Sequence, residues 1–237
     1  MNRDPLPWAC AALLTGGVLA FLWGGAQHPL TDSSLGQLGS PDYFREFARH
    51  VANQAGWQRI HAGILAGPVL WALGSVGLAR RLRGEGEVGW SELALMALGT
   101  GAALWAVVFV LDGFVAPLQA AAVVEPGSSV DAVNAFRTNQ EIVIRLGLVS
   151  WLLIGTGIAS LSIAAWSSRE QARLVRVALV PAGLAVGTWP IVAFVAGPFR
   201  PGPFTSVLWT PTAILTAIWF LIAVAVLLRR EAPLDTR

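Results

Sequence analysis

His61, Asp112, Glu141 and Arg145 are side chains that a long apolar sequence does not carry without a reason. An ionisable group in hydrocarbon costs about 2.5–3.5 kcal/mol on insertion scales, so such residues are kept where they do something or are neutralised. They gather at one depth. His61 stands about one turn into its apolar run, with Arg59 at the rim. Asp112 lies toward the end of the next run, Glu141 and Arg145 fall in the first turns of the one after, and His28 closes the first run just before Pro29. Trp209 sits at a comparable position in the last run. Imidazole, carboxylate and guanidinium groups facing one space would bind a small polar or amphipathic ligand.

Narrower chemistries use the same letters. A zinc site needs three or four of His28, His50, His61, Asp112 and Glu141 to converge, although no HxxxH or HExxH spacing is present. A b-type haem needs two histidines on facing spans, and His28 and His61 share a depth. A purely structural reading pairs Glu141 with Arg145, at i,i+4 with the acid first, and Asp112 with Arg59. Other classes are excluded. All 16 basic residues are arginine, so no lysine Schiff base can form. The lone Cys10 rules out an internal disulfide or a CxxC site. Nucleophilic hydrolysis lacks a GxSxG elbow, and phosphate-cradling loops are missing. The absence of any histidine after His61 counts against hydrolases of the ceramidase and progestin-receptor kind.

The elements that must position these groups are membrane helices. The 237 residues are 55% hydrophobic and 13% charged, about half the charge of a soluble domain. A net charge of +2 gives no reason to expect nucleic acid. Six apolar runs are long enough to span: 8–26, 58–82, 90–117, 140–166, 175–196 and 206–228. Continuous runs of this length must be helical, because hydrocarbon leaves no other way to satisfy the backbone. The chain is expected to be all-α, one domain over 1–237, with six spans in three hairpins. Ten arginines, including Arg80, Arg81, Arg83, Arg169, Arg173, Arg176, Arg229 and Arg230, fall on one side and mark it as cytoplasmic. Both termini are then inside, and the histidines lie at the outer leaflet.

Between the first two spans, Ser40-Pro41-Asp42 is a helix start. Phe44, Phe47 and Val51 recur at helical spacing opposite Arg45, Glu46 and Arg49, and Gly56 is a stop. This predicts a short amphipathic helix, about 41–54, on the outer surface or capping the bundle. The segment VVEPGSSVDAVNAFRTN begins as a turn, with helix from about Ser129. On the second span, Gly63 and Gly67 form a GxxxG pair suited to close packing, which turns His61 toward another surface, the bundle interior. Registering Trp71, Trp151 and Trp219 suggests a hairpin repeat.

A first helix ending in His-Pro, the segment SPDYFREFARHVANQ and a second helix ending in arginines together resemble uncharacterised six-helix bacterial integral membrane proteins of unknown function. The likeness covers mainly residues 8–83. It implies a bacterial cytoplasmic membrane location and fold, and carries no catalytic residues. Three functions fit the residues: a membrane protein with an outward-facing pocket that binds or transports a small ligand; a metal- or haem-dependent membrane enzyme or redox protein using the same cluster; or an accessory subunit of a larger membrane complex or homo-oligomer.

Overall fold

The computed structural model describes residues 5–28, 41–82, 88–167, 174–196 and 203–229, and the side chains of 41, 88, 176, 192–196 and 203–210 are outside that description. All the regular structure among these residues is helical. The helices are α1 Leu6–Gln27, α2 Pro41–Asn53, α3 Trp57–Leu82, α4 Val88–Val108, α5 Ala116–Val124, α6 Val130–Ser167, α7 Val180–Ala196 and α8 Pro203–Leu228. A π-helical segment, Phe109–Val115, joins α4 to α5, and a π-helical turn, Val175–Leu179, leads into α7.

Among the described residues, five stretches are long and apolar enough to cross a membrane: Leu6–Gln27, Trp57–Leu82, Gly89–Val124, Val130–Ser167 and Pro211–Leu228. The expected fifth span is represented by the shorter apolar stretch Val177–Ile191. Two spans run well past their expected ends, α4 continuing through the π segment into α5 and α6 beginning at Val130 instead of 140. The turn between them is as read from the sequence. Gly127 takes a left-handed φ of 81°, and the Ser129 hydroxyl accepts from the Ala132 amide at 3.2 Å, capping α6.

α1 lies along α3, α4 along α6, and α6 along α7. Glycine sets the first of these contacts from both sides. A Cβ on Gly67 would stand 2.6 Å from the Phe21 Cβ, and one on Gly24 would stand 2.7 Å from the Ile60 carbonyl. The α6–α7 crossing is backbone against backbone, since a Cβ on Gly155 or on Gly187 would lie 2.6 Å from the other's carbonyl oxygen. Without a hydrophobic drive between helices in lipid, such close approach is what holds a bundle. Within it, Phe21, Trp71, Trp105 and Trp151 form an aromatic centre: Phe21 sits 5.0 Å from Trp71 and 5.8 Å from Trp151, ring centre to ring centre. Trp71, Trp151 and Trp219, the tryptophans registered as a repeat, are all buried. At the far end, Arg81 donates to the carbonyls of Val226, Leu227 and Arg229, which closes the C-terminus of α8 with a cation.

A second, smaller core stands beyond the near end. The apolar face of α2 (Phe44, Phe47, Ala48 and Val51) packs with Ala116, Ala120 and Val123 of α5, Phe136 of α6 and Trp57. The amphipathic helix therefore caps the bundle by resting on the extensions of the long helices. The Arg137 guanidinium lies 5.7 Å over the Phe44 ring.

Candidate functional site

The polar groups meet where the two cores adjoin. α2 turns into α3 through Gly56, whose φ of 83° is open to glycine at little cost. The Gly56 carbonyl accepts the Arg59 and Ile60 amides and so starts α3 at once. That tight turn puts Trp57 and His61, one helical turn apart, directly beneath α2. α1 ends at Gln27 because His28 precedes proline, which drives the residue before it out of helical conformation. His28 is extended, with φ −87° and ψ 131°. Its ring lies 5.2 Å from that of Trp57 and 5.0 Å from that of His61.

Asp112 reaches the same point from the π segment. A wider i→i+5 turn frees carbonyls and is found disproportionately at functional sites. Here two carbonyls of the segment receive side-chain donors, that of Leu111 while it also accepts the Ala116 amide. The Trp57 indole donates to the Asp112 carbonyl at 2.7 Å, and Asn139 donates to the Leu111 carbonyl at 3.1 Å. With its backbone so pinned, the Asp112 carboxylate is fixed on both oxygens. Oδ1 accepts from the Gln140 amide at 3.1 Å, and Oδ2 lies 2.9 Å from Nε2 of His61 and 3.8 Å from Nε2 of His28. His61 and Asp112 are 4% and 5% exposed.

The tautomer of His61 follows from its other contact. Nδ1 lies 2.9 Å from the Trp57 carbonyl, a group that can only accept, so Nδ1 carries a proton. Nε2 then presents its lone pair to the carboxylate unless a second proton or another cation stands between them. Two imidazole nitrogens, Nδ1 of His28 and Nε2 of His50, are buried with no hydrogen-bond partner among the described residues. His50 is carried by α2, and its ring lies 6.2 Å from Trp57. Tyr43, also on α2, stacks on Phe47. Burial, and secondarily the nearby Asp112 charge, pushes its phenol up to about 12.

The residues singled out from the sequence therefore separate into groups. His28, His61 and Asp112 are brought together. Glu141 and Arg145 lie on the outward flank of α6, where Glu141 bridges Arg137 at 2.9 Å and Arg145 at 3.3 Å. Arg59 is exposed beside Gly56, and the ion pairs of Asp112 among the described residues are with the two histidines. The side chain of Trp209 is outside the described residues. Sequence reasoning passed over Asn139 and Gln140, uncharged residues adjoining Glu141 that point the opposite way. Beyond Asn139, an open groove of about 410 Å³ is lined by Gln119, Asn134, Ala135, Thr138 and Ile142.

The described residues are all-helical in their regular structure, and their several long apolar helices are those of a multi-pass membrane protein, with a polar centre buried at one end. No protein-family model, no curated protein and no solved structure matches it.

Proposed function

We propose that this protein binds a small ligand at the His28–His61–Asp112 centre, and that the centre faces outward across a bacterial cytoplasmic membrane. One observation carries the reading: a carboxylate and two histidines converge in a nearly water-free space, and two further imidazole nitrogens nearby have no partner among the described residues. Buried polar groups are normally satisfied, so a set left incomplete is suited to a ligand that completes it. The amphipathic α2 covers the centre and provides the element that would move to admit the ligand. In this reading Glu141, Arg145 and Arg59 ring the entrance and attract charged solutes. The outward direction rests on Arg80 and Arg81 at the opposite end of α3. Six spans with both termini inside complete the arrangement.

The test is thermal unfolding of the purified full chain in detergent against organic cations, organic anions, amphiphiles and metal ions. At least one class raises Tm in the native chain and leaves it unchanged in His61→Gln and Asp112→Asn. No shift from any class, or equal shifts in the variants, overturns the reading.

A further inference from the structure

We propose that the ligand of this centre is one divalent transition-metal ion of the zinc class, held by Nε2 of His28, Nε2 of His61 and Oδ2 of Asp112. This rests on the reading of the centre as a ligand site and narrows it. His28, His61 and Asp112 each offer a donor atom within 4.8 Å of the other two. Donors at about 2.1 Å from a tetrahedral zinc ion stand about 3.4 Å apart. The separations of 2.9 Å and 3.8 Å to Oδ2 bracket that spacing, so each of these two pairs reaches it by a side-chain adjustment of about 0.5 Å.

The surroundings fit the same ion. His61 donates Nδ1–H to a backbone carbonyl, the contact that orients a metal-bound imidazole and leaves Nε2 as the ligating atom. Gln140 holds the other carboxylate oxygen, which aims Oδ2 at the two rings. A single cation placed among these atoms takes the place of the second proton that must otherwise stand between His61 and Asp112, and it balances a carboxylate whose ion pairs among the described residues are with the two histidines. The donor set also selects the metal. Two imidazoles and one carboxylate suit zinc and its neighbours, whereas magnesium and calcium require oxygen ligands. Three protein ligands leave a position open, as in zinc sites that work on a bound water or substrate.

The full chain, purified in detergent on a tag without histidine and stripped with chelator, is titrated with Co²⁺ and then Zn²⁺. The expected result is one Co²⁺ per chain with the intense visible absorption of four-coordinate cobalt, displaced one for one by Zn²⁺ and indifferent to Mg²⁺ or Ca²⁺. Gln140→Ala should weaken binding by about 10–100-fold, and His61→Gln, Asp112→Asn and their double variant by more. Each variant is checked for native helical content and monodispersity, and the double variant removes the lone buried charge in case a single variant fails to fold. Failure of the native chain to bind, weak octahedral cobalt absorption, equal affinity for Mg²⁺, or undiminished binding by folded variants overturns the proposal. If an organic ligand still raises Tm in a centre-dependent way, only the metal is lost; if nothing does, the ligand site is lost as well.

Discussion

Tyr43 is the single tyrosine of the chain, so tyrosinate absorbance reports on the cap helix without a label. Its folded pKa is raised from 10.0 to about 12. The folded state thus keeps the phenol proton to higher pH than the unfolded state does. The associated stability is intact below about pH 10 and is lost as the pH climbs toward about 12. In chelator, a titration midpoint well above that of free tyrosine is expected; a midpoint near 10 would mean that α2 is not seated. His61→Ala should cost about 3–5 kcal/mol, because it strands a buried carboxylate. Adding Asp112→Asn should restore part of that loss, and the double-mutant cycle in denaturant measures the coupling. The histidines and Asp112 were legible as an outlying set because ionisable letters stand out against an apolar background. Asn139 and Gln140 were not, since they adjoin a charged stretch and single-helix geometry does not tell which face meets another helix. His50 stood among the possible zinc ligands, but the approach of its ring to Trp57 was not legible, because its segment was read by its apolar face.

At the scale of elements, close packing is where substitution should be felt. Gly67→Ala must displace Phe21, and a loss of about 1–3 kcal/mol is expected. Gly99→Ala, with nothing within 4 Å of the added methyl, should be neutral or raise stability by up to about 1 kcal/mol through helix propensity. Comparing the two Tm values separates packing from propensity; equal effects would mean that α1 and α3 are not in close contact. The GxxxG spacing marked the glycine side of α3 as a close-packing face without naming α1 as its partner, and the Phe44, Phe47 and Val51 stripe marked the apolar face of α2. The lengths of α5 and α6 were hidden because hydropathy ends where lipid ends, while a helix continues wherever another surface receives it. α6 has 38 residues and is about 57 Å long, nearly twice the hydrocarbon thickness. The π segment was also unreadable, because the groups that bond its carbonyls, Trp57 and Asn139, are remote in sequence.

For the molecule as a whole, the two ends of the bundle can be assigned to sides. Cys10 is 2% exposed, so the native chain serves as the background for single added cysteines. Ala52→Cys on the cap should react with an impermeant maleimide in intact cells, and Arg80→Cys only after permeabilisation. The reverse pattern would invert the topology and turn the centre to the cytoplasm. The expected orientation rests on the separation of arginines from histidines along the sequence, which leaves the pairing of helices open.

Arg81, on the second long helix, hydrogen-bonds to the end of the last one, and Trp71 stacks on Phe220 at 4.9 Å. α1 also lies against α8. A nascent chain would therefore wait for its final helix before the earliest ones find their permanent neighbours. Until then a guanidinium would lack its backbone acceptors and a broad aromatic face would be turned to lipid. Biogenesis should thus behave as the closing of a clasp: chains ending before the last span would be cleared by quality control, and supplying 203–237 as a separate polypeptide should rescue them.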